Sequence, residues 1–526
     1  MSEVATYAAP ALPTPLSLPE PVDPDALPAA GEAEVLLRRS TTSGDAGPAR
    51  VTAPSGWRPT AGSVGGLTPA HGAARWLVGA GDGTTPQQWR AAGAAVATAA
   101  GRPVEGAAGG EHAGEIADPG PVVDPSDTPP AAGEPAASGP ASVLVRPETD
   151  ADAPDDAAGW AALATGLVLG SHRFTVRARR TTPPPVRLVV PAPHRAAVVR
   201  ALVLARATAL ARDLADTPSG TKSPDWFART AQELVDGVGL EVAVRDEQWL
   251  AEHGFGGVLA VGGGSARPPR FLELSWTPGA GADPGDAEHV VLVGKGITFD
   301  TGGISIKPTA SMVDMRTDCA GGAAVVAALR AVAELDAPRR VTGLVPLAEN
   351  HVSGSAYRPG DVVRHRDGTT SEVTNTDAEG RMVLADALGH AVERLGPDLM
   401  VDVATLTGAM KSALGVRTGG VFASDPALAA RTVAAGERTG EAWWPMPLSA
   451  HLDADVDSTI ADVRQAPPGP GAIMAALFLH RFTAGRPWVH LDIAGPARCD
   501  KPHEEVAKGA TGFAARTLVE LCAPEV

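Results

Sequence analysis

Seven residues, Asn375-Thr376-Asp377-Ala378-Glu379-Gly380-Arg381, hold two carboxylates and a guanidinium at alternate positions. In an extended or looped segment, Asp377, Glu379 and Arg381 can project into one site. The apolar run Met382-Val383-Leu384-Ala385-Asp386-Ala387-Leu388 follows directly and predicts a helix. The reactive groups therefore stand at a loop-to-helix junction, where backbone N–H groups and the helix dipole also point. Metal ions and a negatively charged intermediate suit that arrangement.

A second cluster begins eighty residues upstream, at Lys295. It reads Val293-Gly294-Lys295-Gly296-Ile297-Thr298-Phe299-Asp300-Thr301-Gly302-Gly303-Ile304-Ser305-Ile306-Lys307-Pro308, and Met315-Arg316-Thr317-Asp318 follows. Its polar candidates are Lys295, Asp300, Lys307 and Asp318. The two clusters together offer four carboxylates, two lysines and one arginine. Carboxylate oxygens suit Mg, Mn and Zn, and two such ions about 3.5–4 Å apart typically share a bridging carboxylate. Four carboxylates neutralise two divalent cations. Beside such a pair the ammonium form of a lysine is strongly disfavoured, so its amine could become a ligand. The other lysine and the arginine remain to stabilise negative charge developing on a substrate oxygen.

Both blocks resemble the signature of the leucyl aminopeptidase family, the dinuclear-metal cytosolic aminopeptidases. The resemblance continues through Asp402-Val403-Ala404-Thr405-Leu406-Thr407-Gly408-Ala409, then Trp488-Val489-His490-Leu491-Asp492-Ile493-Ala494-Gly495 and Lys508-Gly509-Ala510-Thr511-Gly512, and covers the last 330 or so residues. Between these stretches Pro467-Pro468-Gly469-Pro470-Gly471-Ala472 departs from the family's glycine-rich loop, with Pro470 a local departure.

The resemblance implies a metal-dependent aminopeptidase. It would hydrolyse the N-terminal residue, leucine and others, from peptides with a free N-terminus, using a hydroxide that two metals activate. One metal, Mn or Zn, is held by Lys295, Asp300, Asp318 and Glu379. The other is held by Asp300, Asp377, the Asp377 carbonyl and Glu379, so that Asp300 and Glu379 bridge. Lys307 becomes the electrophilic residue beside the scissile carbonyl, and Arg381 holds a bicarbonate that serves as general base. Met315, Thr405, Leu406 and Gly408 match positions at the substrate pocket. A homohexamer with catalytic domains inside is also implied. The same motifs do not separate a broad aminopeptidase from a dipeptidase specialised for one small peptide.

The elements that must position these groups read as an α/β fold. Strands are expected at 240–244, 258–261, 271–275, 289–293, 341–347, 399–404 and 488–493, and helices at 224–236, 320–335, 382–395, 471–484 and 513–521. That alternation predicts a mostly parallel sheet flanked by helices in a C-terminal catalytic domain, 196–526, entered through a linker helix at 196–215. Lys295 and Thr405 then follow the carboxyl ends of strands, where ligands bind in open α/β sheets. A smaller N-terminal α/β domain is expected over 31–195, with strands near Val35, Trp76, Val143 and Val186 and helices at 87–100 and 157–170. Residues 1–30 read as a disordered tail and 102–140 as a flexible, Gly/Pro/Ala-rich insertion.

Bulk properties exclude several classes. A formal net charge of −17 over 526 residues argues against a broad electrostatic footprint on nucleic acid or anionic membrane. Three scattered cysteines, Cys319, Cys499 and Cys522, cannot form a disulfide framework or a zinc ribbon. The first thirty residues lack the basic start and apolar core of a signal peptide, and no apolar run reaches bilayer length, so a cytoplasmic protein without membrane partners is expected. His490, in an apolar strand pattern, reads as a core histidine. Gly262-Gly263-Gly264 reads as a turn, and neither HExxH nor GxSxG occurs.

Overall fold

The computed structural model describes residues 20–22, 32–38, 64–67, 75–79, 85–100, 142–147, 153–176, 186–279 and 287–525. These fall into two compact units, and the division cuts the helix Arg195–Asp216 between Val198 and Val199. The insertion expected at 102–140 lies outside the described residues, as does most of the expected tail. Within that tail, however, Glu20–Val22 forms an edge strand, paired in parallel with Val186–Val189.

The smaller unit carries a six-stranded sheet in the order Glu20–Val22, Val186–Val189, Ser142–Pro147, Glu32–Arg38, Arg75–Gly79, Val64–Leu67. All neighbours are parallel except the last pair. The helices Pro86–Ala100 and Ala157–Ser171 pack on each other at glycines. A Cβ at Gly166 would fall 2.1 Å from the Arg90 carbonyl oxygen, and one at Gly93 2.3 Å from that of Leu163. Only glycine permits so close a crossing, which brings buried Trp89 and Trp160 into the same unit's core.

The larger unit is built on a nine-stranded sheet. Four adjacent parallel strands form its middle, in the order Trp488–Asp492, Leu399–Ala404, His289–Gly294, Arg340–Asn350. Trp488–Asp492, Leu399–Ala404 and His289–Gly294 are buried at every residue, as expected of apolar parallel strands covered on both faces. One face packs against Ala320–Glu334 and Ala515–Cys522, the other against Glu379–His390 and Gly471–His480. Strands running against the middle four close the edges: Arg270–Trp276 and Glu241–Arg245 on one side, and on the other Thr418–Ala423, antiparallel to Trp488–Asp492, with Ala442–Pro445 parallel to it at the rim. The short strand Gly296–Asp300 runs parallel to the end of Arg340–Asn350.

Two expectations are corrected. Residues 258–261 are not a strand but part of a helix, Gly256–Gly262, in which Val258 and Val261 point into the core at a helical spacing. A four-residue apolar run is equally compatible with either form, and tertiary packing decides. The helix expected at 382–395 starts earlier, at Glu379, runs to His390 and then widens into a π turn over Ala391–Leu395. Among the described residues no helix is long and apolar enough to cross a membrane.

Candidate metal centre

The candidate residues gather at the carboxyl ends of the central strands. Lys295 follows His289–Gly294, Asp300 ends Gly296–Asp300, and Thr405 follows Leu399–Ala404. Asp318 closes the 3-10 turn Met315–Thr317, and Glu379 is the first residue of its helix. Gly380 is needed there: a Cβ would lie 2.6 Å from Lys295 Cε and 2.8 Å from its Nζ.

Ligating oxygens of Asp300, Asp377 and Glu379 all lie within 4.8 Å of one another. Lys295 donates to Asp318 Oδ1 at 2.9 Å and to the Thr405 carbonyl at 3.0 Å, and pairs with Glu379 Oε1 at 2.8 Å. Lys307 Nζ is 2.7 Å from Asp300 Oδ2 and also pairs with Asp377. Thr405 Oγ1 donates to Asp318 Oδ1 at 2.7 Å. The clusters thus meet as four carboxylates around two ammonium groups, with Lys295, Asp300 and Glu379 each 3% exposed or less.

That centre carries surplus negative charge. Burial pushes Asp300 well above the ordinary carboxylate range, and Glu379 and Asp318 push it the same way against both lysines. Burial likewise raises Asp318 and Asp377, with the lysines opposing. For Glu379, burial is outweighed by Lys295 and Lys307, and its carboxyl is held low. Burial alone would lower Lys295, yet Asp318, Glu379 and Asp300 together raise it. The carboxylates by themselves therefore favour the ammonium form, and a disfavoured one needs cations among them. Two buried oxygens, Asp318 Oδ2 and Glu379 Oε2, have no hydrogen-bond partner. Buried carboxylate oxygens of this kind normally carry a partner, and an all-oxygen set with one amine fits hard or borderline divalent cations.

Arg381 lies differently from what alternation suggests. Because the helix begins at Glu379, Arg381 leaves it two residues on, roughly 200° around the axis. Its guanidinium donates to the Gln465 carbonyl at 2.7 Å and lies 6.0 Å from the Phe478 ring. Burial lowers it to about 10, against the pull of Glu379 and Asp492. Its Nε is buried with no hydrogen-bond partner, and among the described residues no carboxylate pairs with it. A buried guanidinium left this way suits a small anion.

The remaining candidates lie close in sequence to residues of this centre, Met315 to Asp318, and Leu406 and Gly408 to Thr405. Met315 and Leu406 are half-buried, while Gly408, exposed, opens Gly408–Leu414 with nothing within 4 Å of where a Cβ would stand. His490 is fully buried with Nδ1 2.6 Å from Asp402 Oδ1, a core pairing. Four further residues help to build the site. Asn350 donates to Asp300 Oδ1 at 2.8 Å and to the Thr376 carbonyl at 3.0 Å, joining the two blocks. Tyr357 donates to the same carbonyl at 2.9 Å. Asp492 accepts from Thr407 Oγ1 at 2.6 Å and from the Leu406 amide at 3.2 Å, shaping the loop after Ala404. Gln465 holds the backbone of 374–378. Of these four only Asp492 stands in a motif visible in the sequence, the 488–495 block.

The profile of the cytosol aminopeptidase family, catalytic domain, matches residues 209–519. The chain belongs to the cytosol aminopeptidase family. It is accordingly a hydrolase, an aminopeptidase, and this family depends on two metals. A probable cytosol aminopeptidase from Nocardia farcinica is 45% identical over 373 residues, which is 68% of this chain and 72% of that relative. Among solved structures, the bottromycin maturation enzyme BotP is similar with a TM-score of 0.78 and 40% identity, covering 93% of this chain and 98% of its own. A second structure of that enzyme is in complex with Mn. The cytosol aminopeptidase of Coxiella burnetii matches with a TM-score of 0.72 and 29% identity, over 89% of this chain and 90% of its own. Within this cytosol aminopeptidase fold, the centre described above lies wholly inside the matched residues.

Proposed function

We propose that this protein removes the N-terminal residue from peptides at a centre of two divalent ions, Mn or Zn. The observation that carries the reading is the cluster itself, three buried carboxylates and the half-buried Asp377 around two lysines, with orphaned oxygens on Asp318 and Glu379. Lys295, Asp300, Asp318 and Glu379 would hold one ion; Asp300, Asp377 and Glu379 would hold the other. The ions supply Lewis acidity and an activated water. Lys307, at the more accessible edge of the cluster, donates to the oxygen that becomes negative at the scissile carbonyl. Arg381 would hold a bicarbonate, which would supply a general base, since no carboxylate of the cluster is left to act as one. Met315, Thr405, Leu406 and Gly408 contact the N-terminal side chain. The proposed setting is cytoplasmic, in keeping with the relatives' name, and the proposed assembly is a homohexamer.

A second reading is a peptidase dedicated to one small peptide. It is favoured by the BotP likeness, which spans nearly both whole chains, whereas the Coxiella enzyme is less identical. The deciding experiment is hydrolysis of leucine p-nitroanilide by metal-free protein, then with Mn or Zn, beside the N-acetylated compound and a panel of dipeptides. Metal-dependent cleavage of free-amine substrates only is expected. Cleavage confined to one dipeptide supports the dedicated reading, and cleavage of the acetylated control rejects end recognition.

A further inference from the structure

We infer that Gln465 is a positioning residue for this reaction, setting Asp377, Glu379 and Arg381 from outside the blocks that contain them. The inference rests on the aminopeptidase reading above. Gln465 is fully buried. Its Oε1 accepts from the amides of Thr374 and Asn375, both at 3.1 Å. Its Nε2 donates to the carbonyls of Asn375 at 2.8 Å and Ala378 at 3.0 Å. One side-chain amide therefore satisfies four backbone groups within five residues, using both donors and both acceptor lone pairs. Its own carbonyl accepts from Arg381 at 2.7 Å, and its own amide donates to the Glu372 carbonyl at 2.9 Å.

These contacts bracket the segment. Asp377 lies inside the loop that the amide closes, Glu379 follows the last carbonyl it binds, and Arg381 ends on the same residue's backbone. The opposite side of the loop is held by Thr376, whose Oγ1 accepts from the Ser305 amide at 2.8 Å and donates to the Gly302 carbonyl at 2.7 Å. The loop is thus gripped from the Lys295–Lys307 block on one side and by Gln465 on the other. Gln465 also joins the end of the strand Val463–Arg464, which pairs with Thr370–Glu372. The Pro467-Pro468 pair begins two residues later and limits how far that strand end can drift. The amide is needed because a carboxylate of the same length cannot donate to the two carbonyls.

The test compares full-length wild type with Gln465→Met, which keeps the shape and removes the four side-chain hydrogen bonds, and with Gln465→Asn. Mn binding to the metal-free proteins is followed by calorimetry, and kcat and KM are measured on leucine p-nitroanilide. Loss of groups that orient ligands commonly costs about 10–100-fold in metal affinity or activity. Both variants are expected to keep two Mn ions at saturation, to bind the weaker ion about tenfold less tightly, and to lose about tenfold or more in kcat while KM stays within about threefold. A folded Gln465→Met with wild-type Mn affinity and kcat overturns the inference. So does a loss that disappears when the assay is cooled below the variant's lowered melting point, since that marks a merely structural role. The Mn-binding arm needs no turnover, so a wild type that binds two Mn ions but cleaves nothing rejects the activity reading and still decides this one.

Discussion

The two lysines of the centre differ in what surrounds them. Lys295 is locked between Asp318, Glu379 and the Thr405 carbonyl, whereas Lys307 lies at the Asp300–Asp377 edge with its side chain 13% exposed. A ligand amine belongs to the first setting and a substrate-facing cation to the second. Lys307→Ala is therefore expected to lower kcat by about a hundredfold or more, as for loss of an oxyanion donor, with two metals still present by elemental analysis. Glu379→Ala is expected to lose paired metal and activity together, because in the proposed arrangement its oxygens would serve both ions. Unchanged turnover in Lys307→Ala would remove Lys307 from the reaction. At this scale much was legible in the chain: Asp300, Asp377 and Glu379 stand in contiguous motifs, and the structure brings them together. Asn350, Tyr357 and Gln465 were not, because each is a single polar residue whose meaning arises only when the chain folds back on the 374–381 loop.

Elements were legible where their pattern was long. The strands around Val291, Val401 and Val489 and the helix Ala320–Glu334 carry enough apolar residues to declare themselves. Thr418–Ala423 and Ala442–Pro445 escaped because two glycines weaken one and two adjacent tryptophans and a proline mark the other as an edge. The helix Gly256–Gly262 was misread because its few residues suit either period. In the smaller unit, the contact between Pro86–Ala100 and Ala157–Ser171 depends on glycines that no periodicity reveals. Gly166→Val places a side chain where the Arg90 carbonyl stands 2.1 Å away. Overpacking of this type typically costs about 1–3 kcal/mol. The expected outcome is a lower thermal midpoint and faster proteolysis between Thr85 and Ser171, with kcat on leucine p-nitroanilide unchanged. An unaltered melting profile would mean that the two helices separate freely.

On the scale of the whole molecule, the assembly proposed above is open to a direct test. A hexamer of 53.3 kDa chains weighs about 320 kDa, and light scattering coupled to gel filtration is expected to give that mass; a peak at the mass of one chain would reject the assembly. The centre itself draws on widely spaced stretches of the chain. Lys295 and Asp492, the outermost of the groups that build it, are separated by nearly two hundred residues, and the strand ending at Asp492 pairs directly with Leu399–Ala404. During synthesis, at 5–20 residues per second, roughly 10–40 s separate the emergence of the first of these groups from that of the last. A ribosome-bound chain therefore displays all four carboxylates of the cluster before it has the strand Trp488–Asp492, which pairs beside them. The groups that build the centre are thus assembled only when the domain is almost fully translated.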